Sequence, residues 1–133
     1  MQTVDLTKPV PKQRKCPVNY NSKSLELARS WGYIMGKCDY YDMRTNVTHD
    51  LFGFLDYVGL ADDRTMGFQF CGKDWSSHIK KLTEERHDVV TKWLAPESRR
   101  QLTLIGWHKL KGKWAPRIAN FWLEDGVIKW TLL

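Results

Sequence analysis

The chain has 133 residues, of which 42% are hydrophobic, and it includes seven Trp, five Tyr and five Phe. This content of large apolar side chains favours one packed domain and excludes an intrinsically disordered chain. No apolar run approaches the ~18–20 residues of a membrane-spanning helix, and residues 1–15 lack the apolar stretch of a signal peptide. Cys16, Cys38 and Cys71 show no CxxC pairing, which favours a reducing cytoplasm over a zinc site or a disulfide framework.

The net charge of +6 is distributed unevenly along the chain. Residues 1–22 carry four basic and one acidic residue, and residues 99–133 carry seven and two. The middle segment, 23–98, carries ten basic and twelve acidic residues. Basic flanks around a mildly acidic middle favour a protein that binds a polyanion and holds carboxylates at its centre. The alternative is a solvated basic surface without such a partner.

The first predicted elements follow an N-terminal arm. Residues 1–21 hold three of the five prolines and show no apolar periodicity, so we expect a basic extended arm before a single domain at 22–133. The segment SLELARSWGYIMG, residues 24–36, has apolar residues at helical spacing and predicts a helix capped by Gly36. Glu26 lies off its apolar stripe. The segment KCDYYDM, residues 37–43, is a candidate short strand.

The rest of the chain predicts strands around a second helix. Aromatic-rich segments at 49–60 and 65–72 predict two antiparallel strands joined by ADDR. Residues 75–94 predict a helix stopped by Pro96, and residues 100–110 predict a strand. Residues 117–133 predict a hairpin, since Asp125-Gly126 favours a type I′ turn. This order predicts an α/β fold with a mixed sheet flanked by helices.

The predicted central hairpin places a carboxylate opposite an amide. If its turn is centred on Asp62 and Asp63, the numbers of facing residues sum to about 125, so Asp56 faces Gln69. Such oxygen ligands suit Mg²⁺ or Mn²⁺, and the alternative is an Asp–Gln hydrogen bond at a sheet edge without metal. Asp50 shares this face but lies ~20 Å from Asp56 along an ideal strand. We therefore expect Asp50 outside the metal site, in an accessory position, unless Gly53 bends the strand.

Four sequence blocks resemble the PD-(D/E)xK nuclease superfamily. The blocks are DLFGFLDYVGL at 50–60, GFQFCG at 67–72, SSHIKKL at 76–82 and IGWHKLKGKW at 105–114. Together with the helix that contains Glu26 they are similar to small phage and viral nucleases of the Holliday-junction-resolvase type, over residues 24–114. The resemblance implies a restriction-endonuclease-like core in the order α-β-β-β-α-β, followed here by the C-terminal hairpin.

The resemblance also implies a set of metal ligands. Asp56 matches the metal-binding Asp, and Gln69 takes the position usually held by Glu or Asp. Glu26 matches a helix Glu that some branches use as a further metal ligand. Because Gln69 brings one negative charge fewer than Glu, the metal affinity should be lower than in the usual motif.

The lysine of the motif is replaced in this chain. Cys71 stands at its position and cannot supply a fixed positive charge. In this superfamily the lysine migrates, so Lys73 and the helix residues Lys80 and Lys81 are candidates, each of which can equally be a surface lysine. The implied reaction is metal-assisted hydrolysis of a phosphodiester, with a lysine neutralising the scissile phosphate.

Basic residues outside the motif are candidates for holding DNA phosphates. They are Lys8, Lys12, Arg14, Lys15, Arg99, Arg100, Lys109, Lys111 and Lys113. Trp107 and Trp114 are candidates for stacking on unpaired bases, or else belong to the core.

Three functional hypotheses follow from the sequence. The first is a Mg²⁺- or Mn²⁺-dependent DNA endonuclease that acts on branched or nicked DNA, for which symmetric cutting would favour a homodimer. The second is a degenerate nuclease fold that binds nucleic acid without cutting it, or a scaffold within a viral complex. The third is a host-interaction protein whose basic surface binds an acidic protein.

Overall fold

A computed structural model describes residues 19–133 of the protein. The helices are α1 (Tyr20–Ser30), α2 (Trp75–Lys80) and α3 (His87–Trp93), with a π-helical turn at Lys81–Glu85 and a 3₁₀ turn at Pro96–Ser98. The strands are β1 (Ile34–Lys37), β2 (Tyr40–Asp42), β3 (Val47–His49), β4 (Tyr57–Leu60), β5 (Thr65–Phe70), β6 (Arg100–Leu110), β7 (Lys113–Glu124) and β8 (Val127–Leu132). The predicted arm lies outside the described residues except at 19–21, where α1 has already begun at Tyr20. No helix within 19–133 is long and apolar enough to span a membrane.

Six strands form one mixed sheet in the order β1-β4-β5-β6-β7-β8. Neighbouring strands are antiparallel except β5 and β6, which are parallel. Parallel strands need a long crossover connection, and α2 and α3 lie within it. The predicted α/β fold with a mixed sheet is therefore confirmed. Strands β2 and β3 form a separate two-stranded sheet.

Helices cover both faces of the central sheet. On one face α1 packs through Ala28 against Phe68 and Phe70 of β5. On the other face Leu82 and Val90, from the helical crossover, belong to the larger core cluster. Because side chains alternate along a strand, Gln69 points to the face opposite α1. The crossover helices and Gln69 are thus on the same side of the sheet.

The register of the central hairpin agrees with the prediction. Tyr57 pairs with Phe68 and Leu60 pairs with Thr65, so the facing numbers sum to 125. The predicted C-terminal turn is also confirmed, because Asp125 and Gly126 have φ of 51° and 77°. Positive φ at both central residues is what a type I′ turn requires.

Two predicted boundaries are wrong. The first helix ends at Ser30, since Gly32 has a φ of +96° and Gly36 lies within β1, opposite Val58. The strand predicted to start at residue 49 starts at Tyr57. Between residues 49 and 57 the chain turns, because Phe52 and Gly53 both adopt positive φ, 56° and 79°.

Close packing beside β5 gives a test of the fold. A Cβ added at Gly67 would lie 2.6 Å from Cδ2 of Leu55 and 3.0 Å from the Trp93 ring. Overpacking of this kind costs about 1–3 kcal/mol, so Gly67→Ala should lower the free energy of unfolding in urea by that amount. The matched control is Gly36→Ala, whose Cβ meets only the Val58 carbonyl oxygen, at 3.8 Å. Equal unfolding midpoints for the two variants would contradict the packing described here.

Candidate metal centre

Asp56 lies directly before β4 and is 7% exposed. Its Oδ2 accepts a hydrogen bond from the backbone N–H of Phe70 at 2.7 Å and one from Nε2 of Gln69 at 2.6 Å. Its backbone N–H donates to the Phe68 carbonyl at 2.9 Å. The predicted approach of Asp56 to Gln69 is therefore present, and strand β5 holds this carboxylate from two sides.

Asp50 lies in the same cluster, contrary to the expectation that it would be distant. Its Oδ2 accepts from Nε2 of Gln69 at 3.3 Å and from Nζ of Lys81 at 3.0 Å. The segment from 50 to 55 folds back as a turn instead of running straight, and Leu51 and Leu55 bridge across it. The separation of ~20 Å expected for an extended strand therefore does not apply, and the alternative, a bend at Gly53, is the one present.

The turn between Asp50 and Asp56 requires backbone conformations that few residues adopt. Phe52 has a positive φ, which is uncommon for a residue with a side chain of this size. At Gly53 a Cβ would lie 2.8 Å from Nε of Arg86, so the Arg86 side chain packs closely against the turn. The turn brings the two carboxylates together, and the helical crossover covers it.

Asp39 is a third carboxylate, and it was not among the predicted site residues. The backbone N–H groups of Cys38 and Asp39 both donate to the Asp56 carbonyl, at 2.8 and 3.2 Å. Oxygen atoms of Asp39, Asp50 and Asp56 all lie within 4.8 Å of one another. No sequence motif points to Asp39, because its position depends on the pairing of β1 with β4 and not on any motif spacing.

Two buried oxygen atoms of the cluster lack hydrogen bonds within the described part of the chain. They are Oε1 of Gln69 and Oδ1 of Asp39, although Nζ of Lys37 lies 3.4 Å from the latter. Gln69 is only 2% exposed, and an unsatisfied buried acceptor costs about 1–3 kcal/mol. Three carboxylates and an amide oxygen form the all-oxygen donor set that Mg²⁺ and Mn²⁺ take. The residues present therefore fit a hard divalent cation.

Lys81 is the candidate lysine that the structure brings to the cluster. It begins the π-helical turn, in which its carbonyl accepts from the N–H of Arg86, five residues on, at 2.8 Å. Its side chain is 23% exposed and pairs with Asp50. Lys80 is exposed, and Lys73 lines a separate cavity. Turns of the π type recur at functional sites.

The structure does not bring Glu26 to the carboxylates, and it places Cys71 in the core. Glu26 is exposed on α1, which packs on the face of the sheet opposite Gln69. Cys71 is 1% exposed in the core, where its Sγ lies against Gly106. The resemblance matched Glu26 to a ligand position. That assignment is wrong, because α1 packs on the face of the sheet opposite Gln69. Asp39 supplies the additional carboxylate instead.

Burial and mutual repulsion split the pKa values of two neighbouring carboxyl groups. Burial, and then the adjacent carboxylate of Asp50, raise the pKa of Asp56 to about 8. Burial also acts to raise the pKa of Asp50, but hydrogen bonds to Asp56 and Lys81 outweigh it, so the pKa of Asp50 is lowered. At neutral pH and in the absence of a cation, this coupled pair therefore favours holding one proton between its two carboxyl groups.

The predicted DNA-binding residues of the described chain lie at the two ends of β6. At its start Arg100 donates to the carbonyls of Trp93 and Lys92, so its guanidinium is engaged in the fold, and Arg99 is exposed beside it. At its end Lys109 precedes the exposed Lys111 and Lys113 of the β6–β7 turn. The predicted residues Lys8, Lys12, Arg14 and Lys15 fall outside the described residues.

A basic cavity of about 320 Å³ lies at the second of these ends. It is lined by Lys73, Trp107, His108, Lys109, Trp114 and Arg117. Lys109 and Arg117 lie over indole rings, of Trp114 and Trp75 respectively. Within residues 19–133, none of its three lysine and arginine side chains pairs with an acidic group. The sequence did not indicate Arg117 or His108, because the pairing of β6 with β7 places them here.

Comparison of the chain with protein-family models, with curated proteins and with solved structures gave no significant match.

The buried carboxyl pair gives a pH-dependent prediction. An unfolded Asp has a pKa near 3.8, whereas Asp56 has one of about 8, so the folded protein binds the extra proton between these values. Its stability should therefore fall as pH rises from 4 to 8, by at most about 1.4 kcal/mol per pH unit. Asp56→Asn removes this titration and keeps an acceptor for the Phe70 N–H.

The measurement is urea unfolding of both proteins at pH 5, 6, 7 and 8 with EDTA present. At each step from pH 5 to pH 8, we expect the free energy of unfolding of Asp56→Asn to rise relative to that of the wild type. Parallel pH dependences for the two proteins would show that Asp56 titrates normally.

Proposed function

We propose that this chain is a Mg²⁺- or Mn²⁺-dependent nuclease that hydrolyses phosphodiester bonds in DNA. The observation that supports it most directly is the convergence of Asp39, Asp50 and Asp56 within 4.8 Å, around the buried amide of Gln69 and beside Lys81. Carboxylates gathered in a partly closed site are costly unless a cation balances them.

The order of the elements supports the same proposal. Helix α1, strands β1, β4 and β5, the helical crossover and β6 follow one another as α-β-β-β-α-β, with β2 and β3 inserted after β1. This is the order that the resemblance to the PD-(D/E)xK superfamily implies for a restriction-endonuclease-like core. Asp56 then precedes the second core strand and Gln69 lies in the third.

The residues would hold the cation through oxygen atoms. The carboxylates of Asp39, Asp50 and Asp56 are the anionic donors, and a half-turn of the Gln69 amide would exchange its Nε2 for Oε1. A bound divalent cation lowers the pKa of a water molecule and stabilises charge on a phosphoryl oxygen. Asp56 would release its proton when the site fills, because a nearby positive charge favours the carboxylate form.

Lys81 would supply the positive charge that Cys71 cannot. Its ammonium group pairs with Asp50 and remains partly exposed, so it can reach a phosphate that approaches the cluster. Fixed cations aimed at the developing negative charge act most strongly where water is excluded. The ion pair with Asp50 orients the Lys81 side chain toward the carboxylates.

DNA is the proposed substrate because of the basic cavity. Lys73 lies on the connection that follows β5, and the Gly72 carbonyl accepts from the Trp107 N–H at 3.3 Å. The cavity thus begins close to Gln69 along the chain, just beyond the end of β5 at Phe70. A DNA strand whose phosphate lies at the carboxylates would continue toward these cations, which would bind its neighbouring phosphates. The proposal also includes a homodimer, which symmetric cutting would favour. It includes a location in the reducing cytoplasm, which the cysteine pattern favours.

The second candidate is a nucleic-acid-binding protein with a degenerate site. The observation that favours it is that Gln69 donates to both Asp50 and Asp56 in an arrangement that needs no cation. The two candidates share DNA binding and differ in cleavage, so a cleavage assay separates them.

Matched lysine variants test the catalytic proposal. Lys81→Ala should lower the rate of Mn²⁺-dependent cleavage of branched or duplex DNA by about 10²–10³, since it removes one fixed charge from the site. Asp56→Asn should reduce cleavage at least as much. Lys80→Ala, which changes the exposed neighbour, and Glu26→Gln should leave the rate within about twofold of the wild type, because neither residue lies at the cluster.

The assay compares Mg²⁺, Mn²⁺ and EDTA on branched, duplex and single-stranded DNA, with thermal melting as the check on folding. DNA binding without cleavage under every metal would assign the protein to the second candidate. Cleavage that survives Asp56→Asn would place the reaction elsewhere in the chain.

Salt dependence tests the basic cavity as the DNA-binding surface. Removing one phosphate contact lowers the slope of log K against log salt by about 0.9 for duplex DNA. We expect Lys109→Ala and Arg117→Ala each to produce this change in fluorescence-anisotropy titrations from 50 to 200 mM salt. The control is Lys129→Ala, which removes an exposed lysine 4.0 Å from Glu124 and should leave the slope unchanged. Equal slopes for all three variants would place the phosphates on another surface.

A further inference from the structure

The small hairpin β2–β3 is attached at both of its ends to the carboxylate cluster. Asp39 directly precedes β2 and Asp50 directly follows β3. The hairpin is paired through Tyr40–His49, Tyr41–Thr48 and Asp42–Val47 and belongs to no larger sheet. Any molecule that brings a reacting group to the carboxylates therefore lies at the base of this hairpin.

Large apolar side chains are exposed along this hairpin. Their exposed fractions are 58% for Tyr40, 56% for Tyr41, 81% for Met43 and 46% for Val47. Because Tyr40 and Tyr41 alternate along β2, both faces of the two-stranded sheet are exposed. A cluster of apolar side chains left in water next to a site marks a surface that contacts another molecule.

Internal hydrogen bonds hold the hairpin in shape without help from the core. The Tyr41 hydroxyl donates to Oδ1 of Asn46 at 2.6 Å, and the Asn46 N–H donates to the Asp42 carbonyl at 2.8 Å. The Arg44 N–H donates to Oδ1 of Asp42 at 2.9 Å. A two-stranded hairpin is only marginally stable alone, and these three bonds together help to fix the tip. They present Met43 and Arg44 outward, the latter with 91% of its side chain exposed.

The chemistry of the tip fits unstacked bases beside a phosphate. Apolar side chains such as Met insert between base steps, and aromatic rings stack on unpaired bases. An undistorted duplex offers only base edges and the backbone, and a Met side chain can insert there only by first unstacking two bases. Tyr41 and Met43 are therefore better matched to bases that are already unstacked. The Arg44 guanidinium lies next to them, with its Nε 3.6 Å from Oδ1 of Asp42, and its exposed end provides a cation for an adjacent phosphate.

We propose that the β2–β3 hairpin contacts unpaired or unstacked bases next to the phosphate held at the carboxylate cluster. The hairpin thereby gives the protein a preference for branched or splayed DNA over continuous duplex. This inference rests on the proposed function for the identity of the bound molecule. It assigns the recognition of DNA structure to a segment that the nuclease-like core does not need for its sheet.

The test is a binding measurement in EDTA, so that no cleavage occurs. Wild-type protein and Met43→Ala are titrated by fluorescence anisotropy against a splayed-arm DNA and against a continuous duplex of the same length. We expect Tyr41→Ala to weaken binding of the splayed-arm DNA by about 5- to 100-fold, the range of one base stacked on an aromatic ring. Met43→Ala should weaken it by about tenfold, since it removes one large apolar side chain from the contact. Binding of the duplex should change by less than twofold.

Two kinds of control separate recognition from folding. Val127→Ala and Leu60→Ala remove apolar side chains that are 52% and 53% exposed, beside the turns that follow β7 and β4, and should not change the preference. Tyr41→Phe keeps the ring but loses the bond to Asn46, and it should retain most of the splayed-arm affinity. If Tyr41→Ala disturbs the hairpin, Met43→Ala remains informative, because Met43 lies at the exposed tip.

Several outcomes would overturn the inference. One is an unchanged affinity for the splayed-arm DNA in Met43→Ala, and another is an equal loss for both DNAs. A third is a wild-type dimer that Met43→Ala converts to monomer in sedimentation, with unchanged DNA affinity, which would assign the hairpin to self-association.

The inference and the proposed nuclease activity can fail separately. If no metal supports cleavage but Met43→Ala still lowers the splayed-arm affinity, the nuclease proposal fails and the hairpin assignment is supported. If cleavage occurs and Met43→Ala leaves the preference between the two DNAs unchanged, the hairpin assignment fails and the nuclease proposal is unaffected.

Discussion

The buried carboxyl group of Asp56 connects three parts of the chain. Its side chain accepts from the Phe70 N–H and from Gln69, and its backbone carbonyl accepts from the N–H groups of Cys38 and Asp39. A buried carboxyl group is costly unless hydrogen bonds satisfy it. The two side-chain bonds offset that cost. Together with the backbone bonds, they fix where β5 and the segment before β2 lie relative to each other.

The proximity of Asp50 to this group is unfavourable without a cation. Burial, and then repulsion from the Asp50 carboxylate, raise the pKa of Asp56. Hydrogen bonds with Asp56 and with Lys81 lower the pKa of Asp50. Two groups reduce the negative charge of the cluster when no cation is bound. They are the proton of the Asp50–Asp56 pair and the Lys81 ammonium group. In the proposed nuclease, a divalent cation would take the place of this proton.

The sheet and the helices bring the other groups to this point. Close approaches at Gly67 and Gly106 let Leu55, Trp93 and Trp75 pack directly on the sheet, which places the crossover helices above Gln69. The π-helical turn then directs Lys81 toward Asp50. The hairpin β2–β3 extends from the other side, between Asp39 and Asp50. The carboxylates thus lie between a rigid packed layer and an exposed hairpin.

The sequence by itself determined the fold class, the register of β4 against β5 and the turn at Asp125-Gly126. These features depend on local alternation and turn chemistry, so Asp56 opposite Gln69 could be predicted from them. Only the tertiary structure decided that Asp50 and Asp39 join the cluster, that Lys81 and not Lys73 or Lys80 reaches it, and that Glu26 does not. The physical reason is that these outcomes depend on the positive φ of Phe52, on a π-helical turn and on the face of the sheet that α1 covers. Long-range packing selects such features, and the pattern of the neighbouring residues does not encode them.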